Sequence, residues 1–221
     1  MIGRKACLAI LALALAAPAL AQDRRVEIGG NVGWNFSDGV TFDGVLAGDG
    51  AIYDGIEPAD AFSWGLDIGY FVTPSVQVGF LFSQQMSTMQ VTGTRTVEIG
   101  DWNVNNYHGF VSYHTGDFDS RARAYFLLGL GATQYGSVPF SVGGQTFETG
   151  GETQFSGTFG IGVKLNSSGP IGLKLGARWT PTYIKSDEEG WWCDPYWGCY
   201  VVGDAQYSNQ FELSGGLVIR F

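Results

Sequence analysis

Large apolar side chains recur at every second position through most of the chain, the period of a β-strand with two unlike faces. In RVEIGGNVGWNF, Val26, Ile28, Gly30, Val32, Trp34 and Phe36 share one side, and Glu27, Gly29, Asn31, Gly33 and Asn35 share the other. AFSWGLDIGY sets Phe62, Trp64, Leu66, Ile68 and Tyr70 against Ser63, Gly65, Asp67 and Gly69. SVQVGFLF, QFSGTFGIGVKL, IGLKLGARW and the final QFELSGGLVIRF repeat the alternation. Two further segments, 104–114 and 121–132, follow it less cleanly. The pattern predicts eight strands.

The connections predict how those strands are arranged. Those at 73–75, 115–120 and 166–170 are short and rich in turn-forming residues. Those at 37–60, 83–102, 133–153 and 182–208 are long. Short and long connections alternating over an even number of strands describe an all-β fold: an eight-stranded antiparallel up-and-down transmembrane barrel with short periplasmic turns and long outer loops. A soluble barrel would turn its apolar face inward. Here the opposite face is rich in glycine and carries Asp67, Lys164, Lys174, Arg178, Glu212 and Arg220. That mixed-sign set fits a narrow interior in which opposite charges pair, leaving the apolar face to lipid. Trp34, Phe36, Tyr70, Phe71 and Trp179 fall near strand ends, where interfacial girdles are expected.

Composition and the N-terminus agree with export. Arg4 and Lys5 precede an apolar stretch at 8–17, and Ala19-Leu20-Ala21 forms a small-x-small cleavage site, so residues 1–21 read as a signal peptide and 22–221 as one barrel domain. Losing Arg4 and Lys5 takes the formal charge from −9 to −11, which argues against nucleic acid as a partner. Cys193 and Cys199 are the cysteines left in the mature chain, and an even pair in an oxidising compartment reads as a disulfide.

The ending Ser214-Gly215-Gly216-Leu217-Val218-Ile219-Arg220-Phe221 combines a polar residue, a glycine, a hydrophobic residue and a terminal aromatic at Ser214, Gly216, Ile219 and Phe221. On this motif the mature chain resembles the small outer-membrane β-barrel proteins of Gram-negative bacteria, the OmpA-like and OmpX/OmpW-like group. The resemblance implies recognition of this ending by the barrel-assembly machinery. It also implies residence in the outer membrane, among its lipid and lipopolysaccharide, as a monomer. No peptidoglycan-binding segment follows Phe221, unlike full-length OmpA.

Candidate chemistry is sparse. Segment 37–60 carries Asp38, Asp43, Asp49, Asp54, Glu57 and Asp60 and no Lys or Arg. Its four Asp-Gly pairs read either as turns of a flexible acidic loop or as a weak divalent-cation site shared with lipopolysaccharide phosphates. Their spacing does not fit an EF-hand. A disulfide between Cys193 and Cys199 would hold Trp191, Trp192, Tyr196, Trp197 and Tyr200 on a rigid knob suited to a host molecule, a phage, a glycan or a neighbouring protein. The alternative is that these aromatics rest on the barrel rim. His108 and His114, with Ser112 between them, lack the His-x-Ser and acidic partner of lipid A-modifying barrels. No catalytic, cofactor or metal site is expected. A structural or adhesin-like role through the outer loops is the expectation, with a narrow conduit for small solutes as the alternative and a lipid A-modifying enzyme as a further one.

Overall fold

Fourteen strands form among the residues that the computed structural model describes, namely 25–46, 50–117, 120–142, 145–148, 151–165, 170–184, 190–194, 198–202 and 206–221. Eight of them build the wall: β1 (Val26–Ser37), β4 (Ala61–Phe71), β5 (Val76–Gly93), β6 (Val97–His114), β7 (Ala122–Tyr135), β10 (Glu152–Leu165), β11 (Ile171–Ile184) and β14 (Gln206–Arg220). Each pairs antiparallel with the next around the circle, and β14 returns to β1 with Arg220 opposite Glu27 and Gln210 opposite Ser37. The sheet is closed, so no strand leaves its backbone donors unpaired in the membrane.

The remaining strands lie in the long connections. β2 (Val40–Leu46) and β3 (Ile52–Pro58) form a hairpin whose second arm pairs with the far end of β5. β8 (Pro139–Val142) with β9 (Gln145–Glu148), and β12 (Gly190–Asp194) with β13 (Gly198–Val202), are separate two-stranded hairpins.

Two expectations about the loops are corrected. The connection at 83–102 is mostly strand: β5 and β6 stay paired out to Val91 opposite Val97. The stretch SQQMSTMQVTG is mostly polar, with Met86 alone among large apolar residues on its outward side, so it carries no lipid-facing stripe, yet its Thr, Val and Met residues suit an extended chain. The segment at 37–60 is likewise mostly strand. Asp43-Gly44 lies within β2 and Asp54-Gly55 within β3, and among the described glycines of the segment only Gly50 adopts a positive φ, at 78°.

The outward face carries the expected apolar belt. Leu128 and Leu130 are 60% and 65% exposed, with Leu66, Ile161, Leu175 and Leu217 around the same girth. A belt this continuous would be unstable in water, and acyl chains are its natural solvent. Trp34, Phe36 and Trp179 stand exposed toward the outer end, and Tyr70 toward the periplasmic end. Phe71 departs from the expected girdle. It shares the inward parity of Asp67 and Gly69 on β4 and is 1% exposed inside the lumen.

Candidate functional site

Inward positions alternate with the lipid belt, so each wall strand delivers a polar side chain to the lumen about every second residue. The charges stack in tiers. At the periplasmic end Glu27 accepts from Lys164 through Oε1 and from Arg220 Nε through Oε2, the latter at 2.8 Å. Gln77 donates to the same carboxylate at 3.3 Å and accepts from Lys164 at 3.3 Å and Ser112 at 3.2 Å. The Phe71 ring lies beneath three cations, with Arg220, Lys164 and Arg123 at 5.5, 5.6 and 5.9 Å from its centroid. Arg123 also ties two turns together, donating to Pro74 O at 2.6 Å and Thr115 O at 3.2 Å.

The next tiers pair Lys174 with Asp67 at 2.8 Å and Arg178 with Glu212 at 2.7 Å. Ser63 also donates to Glu212, at 3.2 Å, and Arg178 to Ser83, at 2.7 Å. The Tyr125 ring packs between the lower tiers, 5.7 Å from Lys164 and 5.5 Å from Lys174. Its neighbours must be small: a Cβ at Gly162 would stand 2.6 Å from that ring. A gap of about 40 Å³ remains among Asp67, Tyr125, Lys174, Arg178 and Glu212. That is room for about one water. Above it, His108 Nε2 meets Ser156 Oγ at 2.9 Å, and Asn106 donates to Gln210 at 2.8 Å.

The six charges expected inside are therefore all placed there, and opposite signs meet. Lys164 and Arg220 meet through Glu27, which the alternation put on the polar face without marking it as a partner. Arg123, Gln77, Tyr125 and Phe71 were also missed; parity along their strands was the available signal. Both histidines are fully buried inside. His114 sits at the periplasmic end, where its amide donates to Ser75 O at 2.7 Å, and its ring meets Ser112 at 3.0 Å.

At the outer rim, carboxylates tie backbone down. Asp60 accepts from the Ser37 amide at 3.0 Å, and Asp38 accepts from the amide and side chain of Asn209, the latter at 3.1 Å. Burial, with like charge from Asp60 and Asp38, lifts the Glu57 carboxyl above the usual carboxylate range. Among the described residues no group of three or more His, Cys, Asp or Glu side chains is arranged to hold a metal ion.

The β12–β13 register sets position 193 opposite 199. The side chains of Trp191, Trp192, Cys193, Cys199 and Tyr200 lie outside what is described, as do Tyr196, Trp197 and the expected signal peptide. At the seam, the Phe221 amide donates to Val26 O at 2.9 Å. Gly216 faces Gly30 O so closely that a Cβ could not be accommodated, a steric reason for glycine at this position of the terminal motif.

This geometry meets its counterpart among known proteins. A family model described as the outer membrane protein beta-barrel domain matches residues 6–221. The chain belongs to that family. It is a small outer-membrane β-barrel protein of the Gram-negative cell envelope. No curated protein matches the sequence. Among solved structures, neisserial surface protein A (NspA) superimposes with a TM-score of 0.55 at 14% identity, covering 89% of this chain and 97% of its own. OprG from Pseudomonas aeruginosa gives a TM-score of 0.53 at 14% identity, covering 89% and 96%. At such identities the likeness concerns the fold, an eight-stranded closed barrel.

Proposed function

We propose that this barrel is a non-conducting, non-enzymatic protein that works through its outer face, in a structural and surface-binding role. The observation that carries the reading is the contrast between its two ends. Three tiers of ion pairs cross the lumen, while the β-ladder runs on past the lipid belt and holds the β2–β3 hairpin against β5. Paired strands present a surface with less ordering entropy left to lose on binding than free loops would. The β12–β13 hairpin, with Trp191, Trp192 and Tyr200 on its strands, is the contact element. Its partners are glycans, phage or proteins met at the cell surface, and lipid and lipopolysaccharide surround the wall.

The non-enzymatic part is supported by the histidines. Both His–Ser pairs face the lumen rather than lipid, and His108 Nδ1 has no hydrogen-bond partner, so no carboxylate orients that ring as catalysis would require.

Attachment tests this reading. Cells expressing the protein should bind immobilised glycans or epithelial monolayers above cells lacking it, and replacing residues 190–202 by a Gly-Ser linker should remove most of that excess. Equal attachment with and without the protein would refute the surface-binding role.

A further inference from the structure

Where the chain passes from β3 into β4, the ladder along β5 changes partner. β5 pairs with β4 as far as Gln85 opposite Ser63, and with β3 from Met89 opposite Pro58. Between those points the bend is tied to β5 by the Ala59 amide, which donates to Thr88 O at 2.9 Å, and by Ser87 Oγ, which donates to Ala59 O at 2.5 Å. The bend reads Pro58-Ala59-Asp60-Ala61, and its short side chains leave an open hollow of about 950 Å³, within the range of ligand sites.

The hollow has two unlike sides. Nearer the lipid belt it is apolar: Trp34, Phe62 and Met86 are 48%, 40% and 48% exposed. Farther out it is acidic. Glu57 comes from β3, Asp60 from the bend, and Glu98 and Asp101 from β6, where they stand opposite Gln90 and Thr88, beyond Met86 along the ladder. Among the described residues none of the four carboxylates is in an ion pair; Glu98 accepts from Gln90 at 3.3 Å and Asp60 from the Ser37 amide. The raised Glu57 carboxyl is a sign of the same crowding.

The placement of these carboxylates selects the kind of cation. Among the described residues no three of them converge on a metal ion. Gln90 faces Glu57 on one side of β5 and Glu98 on the other, so those two acids are two strand spacings apart, about 10 Å. A single ion cannot neutralise both. One molecule with cations about 10 Å apart can, and an extended peptide covers that distance in about three residues. Its apolar side chains would lie on the shelf of Trp34, Phe62 and Met86, away from water. The phosphates of lipopolysaccharide are repelled by the same charge.

We infer that this hollow docks a cationic amphipathic peptide segment, with its basic residues on the carboxylates and its apolar residues on Trp34, Phe62 and Met86. Charge complementarity supplies the steering and the choice of partner. The site lies apart from the β12–β13 hairpin and goes beyond the surface role proposed for it.

The test uses the full mature chain in nanodiscs of zwitterionic lipid, titrated with a short fluorescent peptide of alternating lysine and leucine. Lysine–serine and glutamate–leucine peptides are the controls, and empty nanodiscs give the background. The lysine–leucine peptide should bind saturably above that background and weaken as salt is raised. The lysine–serine peptide should bind more weakly, and the glutamate–leucine peptide should not bind. Glu98→Gln with Asp101→Asn should weaken the lysine–leucine peptide about fivefold, the loss of two exposed pairs. Asp43→Asn with Glu152→Gln removes two equally exposed charges outside the hollow and should change little. Heat-dependent gel mobility checks that each variant is folded. Binding no greater than to empty nanodiscs, or equal loss in the two double variants, would overturn the site. Equal binding of the lysine–leucine and lysine–serine peptides would overturn the apolar half of the assignment. Replacing residues 190–202 by the Gly-Ser linker should leave peptide binding unchanged; its loss there would move the site to the hairpin. Attachment of cells is a separate readout, so failure of this site leaves the surface role standing.

Discussion

Glu27→Ala is expected to destabilise the folded barrel by about 3–5 kcal/mol, the cost typical of stranding the partner of a buried ion pair. Glu27 is fully buried and neutralises Lys164 and Arg220 at once, while the nearby Arg123 adds a third positive charge around Phe71. Without the carboxylate, Lys164 and Arg220 lose the negative charge they share, with Arg123 still close to the same ring. The pair itself need not be strongly stabilising; the penalty comes from the unpaired charges left behind. Urea unfolding in lipid vesicles measures it. Lys164→Met in the Glu27→Ala background should recover part of the loss, because it removes one of the stranded charges. A loss below about 1 kcal/mol would mean that water reaches this tier freely.

Leu128→Arg is expected to cost about 2–4 kcal/mol, the range for arginine at the bilayer midplane of a barrel. Leu128 lies half-way along β7, faces outward and pairs across the wall with Val111 and Phe159. Arginine there must snorkel or drag water into hydrocarbon. The same change at Leu46, exposed on β2 beyond the belt, should cost little. Vesicle unfolding of the two variants measures the difference. Equal costs would contradict the assignment of the lipid face.

The strands were legible because a barrel in lipid follows one rule over most of its membrane height: apolar out, polar or small in. Leu213, Leu217 and Ile219 against Glu212, Ser214 and Gly216 state it, while the buried Val218, Leu81, Phe110 and Leu127 are apolar exceptions. The interior charges followed from the same parity. Partnership did not, because Glu27 and Lys164 are 137 positions apart and meet only when the sheet closes. Phe71 was misplaced for a related reason: adjacent to Tyr70 at a strand end, it looked like part of a girdle, and only the parity carried from Asp67 shows that it points inward. Beyond the membrane the rule lapses. Once water replaces lipid, the outward face of β5 is free to be polar, and the extension through Met89 to Gly93 lost its signature. The Asp-Gly pairs of 37–60 suggested turns because Asp-Gly often forms them. In β2 and β3 they sit inside strands instead, Asp43-Gly44 and Asp54 at the register shifts of the ladder, where one strand bulges.

A sealed barrel that acts from its outer face should carry no current. Conductance across a planar lipid bilayer containing the folded protein in 1 M salt tests it most directly. Current no greater than that of the bare bilayer is expected, because the pairs among Glu27, Lys164, Arg220, Asp67, Lys174, Arg178 and Glu212 fill the lumen and the gap between them holds about one water. Steady current proportional to voltage, abolished when the protein is omitted, would contradict it and make the lumen a pathway.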